Sequence, residues 1–360
     1  MTQYIDRLKP RFFVGDSKFH MVREPVEEVP VIDLAPFVEG RDDEAKEAVA
    51  AQLREASINI GFFLLKNAGI SKLEMDEALD WTRQLFDLPF EQKDKLHQRH
   101  SPVAHGWFPA EYEQQTGTMC GRPDVKEGFG FGRELLENDP MEGAPLMGPN
   151  LYPSEDVLPG FEPFMKSYML KIQAVSEHLL HAFALSLSLQ EDYFDAAHKA
   201  HYGFARMNYY PPVTEDQVKA QSWSCAAHTD YEGITILLQD EVGGLEVLDS
   251  TGDWIAVPPT PGMFVVNLGD LMAMWTNDVY RSTLHRVRNI SGKKRYSLPY
   301  FYGPGRHATI SCLPTCQGPG NPPKYPTTDV ITHTVSRTAQ NFPVEMIETM
   351  RGFDSVIAIS

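Results

Sequence analysis

The hydrophobic pattern of the chain changes near residue 200. Upstream, the apolar residues of VPVIDL (29–34) and IGFFLLK (60–66) form short continuous runs typical of buried strands, and apolar residues between them recur at helical spacing. A second helix is expected to begin at Ser71, because Glu74 follows at capping-box spacing, and a third, long helix is expected over residues 163–189. This part of the chain therefore predicts a mixed α/β region.

A stretch rich in glycine and proline lies between residues 88 and 163. Turn residues are too frequent there for a long helix, so we expect loops. Two interpretations are open, because loops of this kind often cover a site but also serve as plain surface connections. The aromatic residues Trp107, Phe129 and Phe131 are candidates to fill the main core.

Downstream of Gly203 the apolar residues gather in short runs rich in valine, isoleucine and aromatic residues. Eight runs are separated by turn residues, namely FARMNYY, WSCAAH, ITILLQD, LEVLD, WIAVPP, MFVVNLG, STLHRVR and RYSLPYFYG. Short strands in this number predict a sandwich or barrel. We therefore expect a mainly β protein with flanking helices and a double-stranded β-helix (jelly roll) core.

The same pattern divides the chain into three parts. Residues 1–200 are expected to form a mixed α/β N-terminal region with the long supporting helix. Residues 201–310 are expected to form the jelly-roll core, and residues 311–360 an irregular or helical C-terminal tail. No repeat or low-complexity tract interrupts this division.

The composition is that of an ordinary globular protein, with 42% hydrophobic and 22% charged residues, and it excludes disordered and fibrous chains. The net charge of −17, without a dense block of lysine and arginine, makes nucleic acids and anionic membrane surfaces poor partners. No apolar run approaches the roughly 18 to 20 residues that span a bilayer, and the four cysteines include no CxxC pair. We expect a cytoplasmic protein that binds a small molecule; no oligomeric state follows from the sequence.

A candidate metal site begins at His228 and Asp230. On an extended segment these side chains face the same way, while Thr229 between them points elsewhere. His285 lies in a later strand-like run, STLHRVR, that can fold back alongside. Two histidines and one carboxylate leave three coordination positions open, which suits a non-haem Fe(II) that must bind a co-substrate and dioxygen. Zinc is the alternative, although it usually closes its shell or leaves one position.

A candidate carboxylate clamp follows shortly after His285. Arg295, Ser297, Pro299 and Phe301 alternate along RYSLPYFY and therefore share one face of a strand. The planar fork of a guanidinium matches a carboxylate, and the serine hydroxyl adds one more donor. A clamp beside an iron triad predicts a co-substrate site.

The order of these motifs resembles that of the iron- and 2-oxoglutarate-dependent dioxygenases of the isopenicillin N synthase-like family, which includes plant flavonoid and gibberellin oxidases. The resemblance covers roughly residues 29–310. It rests on VPVIDL, IGFFLLKNAGI, DVKEGFGFG, MNYYPP, HTDYEGITILLQD, GGLEV, PGMFVVNLGDLMAMWTND, STLHRV and RYSLPYFYGP. The chain has NAGI (67–70) where the family usually has NHGI, and Val125 where the family has tryptophan. These departures suggest distance from the plant branch, so the substrates of the plant enzymes are not expected to apply to this chain.

The resemblance implies a role for the candidate metal and clamp residues. His228, Asp230 and His285 would bind Fe(II). Arg295 and Ser297 would hold the distal carboxylate of 2-oxoglutarate. The jelly-roll fold is also what the family implies.

Four further positions are implied by the resemblance. Asn208 and Tyr210 fall on the NxY of MNYYPP, whose tyrosine usually reaches the co-substrate. Arg206 and Phe301 correspond to substrate-pocket positions. Two structural alternatives stay open, namely Tyr210 as a core aromatic residue and Arg206 as half of an internal ion pair.

The activity implied by the resemblance is oxidation of an unactivated C–H bond by O2, coupled to conversion of 2-oxoglutarate to succinate and CO2. Hydroxylation is the default outcome, with desaturation or ring closure as alternatives, on a small, mostly apolar or aromatic substrate as in secondary metabolism. One rival is an iron oxidase of the same fold that takes its electrons from substrate or ascorbate. Another is a non-catalytic jelly-roll binding protein, since fold does not determine function.

Overall fold

A computed structural model describes residues 28–110, 124–142, 144, 147–219 and 224–338. Its strands, β1 to β14, are Val31–Asp33, Phe62–Lys66, Gly106–Phe108, Glu127–Gly132, Tyr202–Tyr210, Cys225–His228, Ile234–Gln239, Leu245–Leu248, Trp254–Ala256, Phe264–Leu268, His285–Val287, Arg295–Gly303, Thr309–Ile310 and Thr328–Asp329. Its α-helices, α1 to α9, are Ala35–Val38, Asp43–Asn59, Lys72–Phe86, Phe90–Lys95, Phe161–Ser186, Asp195–His198, Glu215–Lys219, Asp270–Trp275 and Val330–Thr338. Two short 3-10 helices are Gln98–His100 and Pro314–Cys316.

Most of the strands form two sheets. The larger sheet has the strand order β1-β2-β10-β7-β12-β5-β4-β3, and the smaller has the order β6-β11-β8-β9. All eight strand-like runs predicted downstream of residue 203 are strands, β5 to β12, and they are distributed over both sheets. The predicted jelly-roll core is confirmed.

The predicted N-terminal helices are also present. The second helix, α3, begins after Ser71, whose hydroxyl accepts a hydrogen bond from the Glu74 amide while the Glu74 carboxylate accepts one from the Ser71 amide at 2.9 Å. This reciprocal pair is the capping box that the spacing predicted. The long helix, α5, runs over Phe161–Ser186 and buries one side along its whole length.

The expectation of loops throughout residues 88–163 is wrong at helix α4, at the 3-10 helix Gln98–His100 and at two strands. Strands β3 and β4 lie there, and β4 pairs along its length with β5, placing Gly128 opposite Asn208. The glycines of EGFGFG, which read as turn residues, instead make room for aromatic rings. A Cβ at Gly128 would overlap the ring of Phe108, and one at Gly130 would lie 2.5 Å from the ring of Phe204.

Strand alternation divides the core into two layers. On β2, Phe63 and Leu65 belong to the layer between the larger sheet and helices α2, α3 and α5. Phe62 and Leu64, on the other face of the same strand, pack with side chains of the smaller sheet. The larger sheet therefore has one face on the helices and one on the smaller sheet, and the cavity described below opens between the two sheets.

Helix α9 lies in the predicted C-terminal tail. Arg337 Nη2 lies 2.8 Å from Asp270 Oδ2, and His333 Nε2 donates to the Tyr231 carbonyl at 3.0 Å. These contacts hold α9 against the start of helix α8 and against the segment that follows β6. None of the described helices is long and apolar enough to cross a membrane.

Candidate active site

Antiparallel pairing brings the two histidines of the predicted triad together. His228 at the end of β6 lies directly opposite His285 on β11, and their ring centroids are 4.3 Å apart. Asp230 follows two residues after His228, and its Oδ1 lies 3.6 Å from His228 Nε2 and 3.7 Å from His285 Nε2. One ligand atom from each residue therefore lies within 4.8 Å of the others.

Backbone carbonyls orient both imidazole rings. His228 Nδ1 lies 2.8 Å from the Ala226 carbonyl oxygen, and His285 Nδ1 lies 3.1 Å from that of Thr283. A carbonyl can only accept, so both Nδ1 atoms donate and both Nε2 atoms keep their lone pairs directed at the Asp230 side. Metal-binding histidines are commonly oriented in this way.

The Asp230 carboxylate is oriented by the larger sheet. Thr235 Oγ1 and Asn267 Nδ2 donate to Asp230 Oδ2 at 2.6 and 2.7 Å. Oδ2 therefore accepts two hydrogen bonds, whereas Oδ1 faces the two histidines. Two imidazole nitrogens and one carboxylate oxygen converging in this way form a donor set that fits Fe(II).

The electrostatics of this group reflect its burial. Burial by itself would raise the pKa of Asp230, but His285, His228 and the bonds from Asn267 and Thr235 together lower it below the ordinary value. Burial, followed by the neighbouring His228, lowers the pKa of His285 to about 4. Both shifts favour an ionised carboxylate beside a neutral imidazole, the protonation states in which these groups bind metals.

The second cluster lies on the paired strands β5 and β12. Register places Arg295 opposite Tyr210 and Ser297 opposite Asn208, so all four side chains share one face of the sheet. The Arg295 guanidinium lies 4.8 Å from the centre of the Tyr210 ring and donates through Nη2 to Gln239 Oε1 at 3.0 Å.

Three buried polar atoms of this second cluster make no hydrogen bond to the described residues. Arg295 is fully buried, yet its Nε and Nη1 find no hydrogen-bond partner among the described residues, and neither does the Ser297 hydroxyl. A buried guanidinium is strongly destabilising unless an anion pairs with it. The arrangement therefore fits a carboxylate ligand, held by the fork of Arg295 and the hydroxyl of Ser297.

A third cluster forms the outer half of the cavity. The rings of Phe204 on β5 and Phe301 on β12 stack at 6.4 Å with an interplanar angle of 25°. The Arg206 guanidinium lies 5.8 Å from the Phe204 ring and 5.3 Å from that of Phe108. Glu232 and Thr334 complete this half, the latter contributed by helix α9.

A single cavity is lined by all nine residues that the sequence pointed to. They are Arg206, Asn208, Tyr210, His228, Asp230, His285, Arg295, Ser297 and Phe301. Sequence reasoning missed several other residues that line it or orient its groups: Lys126, Glu232, Thr235, Gln239, Asn267 and Thr334. Only Asn267 gave a signal, as a polar residue inside the apolar run FVVNL.

A network of polar contacts that the sequence did not predict lies next to His228. Asp124 Oδ1 accepts from the Ala226 amide at 3.0 Å, so it helps to hold the residue whose carbonyl orients His228. Lys126 Nζ lies 3.4 Å from Asp124 Oδ2 and 3.6 Å from Cys225 Sγ. Cys225 itself is buried in the apolar cluster between the two sheets.

Comparison with known proteins identifies the family. A model of the 2OG-Fe(II) oxygenase superfamily matches residues 203–304, and a model of the N-terminal region of non-haem dioxygenases in morphine synthesis matches residues 29–155. The 2-oxoglutarate-Fe(II) type oxidoreductase hxnY of Emericella nidulans is 36% identical over 82% of this chain and 85% of its own. Homoarginine-6-hydroxylase of Oryza sativa is 30% identical over 87% and 97%.

A solved structure has the same architecture. A full-length Neurospora crassa protein crystallised in complex with alpha-KG and thymine superimposes with a TM-score of 0.76 and 28% identity, covering 86% of this chain and 96% of that one. The sequence match extends across both the N-terminal region and the jelly-roll core. The chain therefore belongs to the Fe(II)- and 2-oxoglutarate-dependent oxygenases, oxidoreductases that use O2 as co-substrate.

Proposed function

We propose that this oxygenase hydroxylates a C–H bond of a small organic molecule, with release of succinate and CO2. One observation carries the proposal. The cavity that holds the His228, Asp230 and His285 donor atoms also holds the buried Arg295 fork with its two open nitrogens. A metal triad and an anion clamp in one cavity are what a 2-oxo acid needs to be bound beside iron.

In this proposal the inner half of the cavity holds the iron and the co-substrate. His228 and His285 bind Fe(II) through Nε2, and Asp230 binds it through Oδ1 while Thr235 and Asn267 hold Oδ2. Bound Fe(II) supplies the activation of dioxygen that couples oxidation of 2-oxoglutarate to oxidation of the substrate.

The clamp residues orient the co-substrate. Arg295 and Ser297 bind the distal carboxylate of 2-oxoglutarate, and the Tyr210 ring beneath the guanidinium limits its rotation. Asn208 lies in the same row as Ser297 and provides a further polar contact. Fixing both ends of the co-substrate in a buried cavity excludes water and lowers the entropic cost of reaction.

The outer half selects the substrate. Arg206 and Phe301 face the cavity but belong to neither the triad nor the clamp. The similar Neurospora crassa protein has been crystallised with thymine, which supports a small-molecule substrate here as well. Desaturation and ring closure are the alternative outcomes, since they differ only in the fate of the oxidised substrate.

A library screen tests this function. Purified protein is loaded anaerobically with Fe(II) and then supplied with 2-oxoglutarate, O2 and pooled small molecules, and succinate is measured. We expect at least one compound to stimulate succinate release, with one oxidised product formed per succinate. Turnover that is independent of 2-oxoglutarate would instead indicate an iron oxidase. Protein that retains neither Fe(II) nor 2-oxoglutarate would indicate a binding protein.

A further inference from the structure

The outer half of the cavity has an aromatic wall. Tyr202, Phe204 and Phe301 lie side by side on β5 and β12, with interplanar angles of 29° between the first two rings and 25° between the last two. Their centroids are 6.4 Å apart in both cases. All three residues line the cavity, so their rings offer aromatic surface that a planar ring can contact.

An arginine and a glutamate border this wall. Arg206 follows Phe204 on the same face of β5. Glu232 comes from the segment after Asp230, and its Cβ lies 3.6 Å from the Cβ position of Gly303, close to Phe301 on β12. Burial raises the pKa of Tyr202, and Glu232 raises it further while Arg206 lowers it, so both charges lie near this ring.

The Glu232 carboxylate has no side-chain partner. Among the described residues, the groups that favour its ionised form are the backbone amides of Tyr231 and Glu232 and the nearby Arg206, and no side-chain hydrogen bond is among them. A carboxyl group in a cavity loses hydration, and this costs free energy unless a donor replaces the water. Whether ionised or protonated, the group keeps an oxygen that accepts a hydrogen bond.

We propose that Glu232 and Arg206 bind opposite ends of the substrate, which is a small planar ring compound with an N–H donor at one end and a carboxylate or carbonyl oxygen at the other. The proposal rests on the proposed function and specifies its substrate class. The N–H donates to Glu232, the oxygen accepts from Arg206, and the ring lies on Phe204 and Phe301.

This substrate class narrows the mostly apolar or aromatic molecule expected from the sequence to a ring that also carries an N–H donor. An entirely apolar ring could contact the aromatic wall, but it would displace water from Glu232 without replacing its hydrogen bonds. A site built to hydrogen-bond an N–H discriminates strongly against the analogue that lacks it. Glu232 should therefore act as a specificity-determining residue.

Three matched ring compounds test the proposal. They are pyrrole-3-carboxylate, its N-methyl derivative and thiophene-3-carboxylate. All three carry the carboxylate, but only pyrrole-3-carboxylate has an N–H. Binding to the Fe(II)- and 2-oxoglutarate-loaded enzyme is measured anaerobically by calorimetry. We expect the wild-type enzyme to bind pyrrole-3-carboxylate at least tenfold more tightly than the other two, because leaving a polar group in a desolvated cavity without its hydrogen-bond partner costs about that factor or more.

Variants assign the preference to individual residues. Glu232→Met should reduce the preference to less than twofold without weakening thiophene-3-carboxylate. Arg206→Met should weaken all three compounds about equally. Glu241→Gln, which changes an exposed carboxylate beyond the end of β7, is the matched control and should preserve the wild-type pattern.

Several results would overturn the proposal. These are equal binding of the three compounds by the wild-type enzyme, a preference that survives Glu232→Met, or no binding of any of them while 2-oxoglutarate binds normally. In each case the proposed function would stand and only the substrate class would fall. Failure of the wild-type enzyme to bind 2-oxoglutarate at all would instead refute the proposed function.

Discussion

The inner and outer halves of the cavity are built in different ways. In the inner half, paired strands set the positions of the candidate groups: β6 faces β11 at the histidines, and β5 faces β12 at Arg295 and Ser297. Hydrogen bonds to backbone carbonyls and to neighbouring strands then fix the orientation of the histidines and Asp230. The outer half combines the aromatic wall with Glu232 from a connecting segment and Thr334 from helix α9.

This difference separates the reaction from substrate choice. A strand register cannot shift by one residue without turning every side chain to the other face, so the inner half tolerates little change. Connecting segments can change more freely while the sheets stay intact. We therefore expect substitutions in the inner half to abolish turnover and substitutions in the outer half to redirect or uncouple it.

The largest effect is expected from loss of a triad residue. His228→Ala, Asp230→Ala and His285→Ala should each abolish Fe(II) retention and succinate formation, because three protein ligands leave no redundancy. The melting temperature should change little, since core burial holds the surrounding strands. Metal analysis of anaerobically purified protein checks this. His181→Ala, on the surface of α5, is the control, and a triad variant that matches its iron content would disprove the assignment.

The clamp should give the next largest effect. Arg295→Ala should raise the KM for 2-oxoglutarate by about a hundredfold or more, because loss of one member of a buried charge pair costs about 3 to 5 kcal/mol. Arg295→Lys should recover only part of this, since lysine retains the charge but not the planar fork. Steady-state kinetics over a range of 2-oxoglutarate concentrations measures both.

The control for the clamp is an arginine outside the cavity. Arg288 pairs with Glu246 at 2.6 Å on the smaller sheet, so Arg288→Ala should leave the KM for 2-oxoglutarate unchanged. If Arg295→Ala behaves like Arg288→Ala, the co-substrate is bound elsewhere.

A smaller effect is expected where the larger sheet supports Asp230. Thr235→Val and Asn267→Leu each remove one donor to Asp230 Oδ2, and such supporting bonds typically contribute roughly 10- to 100-fold to metal affinity. Fe(II) titration should therefore show weaker binding, with the KM for 2-oxoglutarate nearly unchanged at saturating iron. Thr251→Val, in the turn between β8 and β9, serves as control. Unaltered iron affinity in both Thr235→Val and Asn267→Leu would mean that Asp230 is oriented without these two hydrogen bonds.

Much of the inner half was predictable from the sequence. Local alternation is enough to predict that Arg295 and Ser297 share a face, or that His228 and Asp230 do. The runs that became β5 to β12 are rich in β-branched and aromatic residues, so local preference and the final fold agree. The roles of these residues remain predictions, but they line one cavity as the pattern required.

The features that the sequence did not predict, strand β4 and the outer half of the cavity, depend on contacts between distant segments. Strand β4 could not be predicted because its glycines are explained only by the rings of Phe108 and Phe204, which lie on other strands. Glu232 looks like an ordinary solvent-exposed residue until helix α9 and the aromatic wall enclose its segment. No spacing rule relates residue 232 to residue 334, so the sequence did not predict that Glu232 and Thr334 line the outer half of the cavity.

The smallest expected effect lies in the outer half and decides between two roles for Arg206. If Arg206 and Phe301 orient the substrate, then Arg206→Met and Phe301→Ala should lower C–H oxidation severalfold more than 2-oxoglutarate decarboxylation, giving an excess of succinate over product. If Arg206 were instead half of an internal ion pair, its loss would strand a buried carboxylate and lower the melting temperature. Succinate, product and thermal unfolding are measured on the same preparations. A destabilised Arg206→Met enzyme with unchanged coupling would assign Arg206 to the fold and leave substrate selection to the aromatic wall.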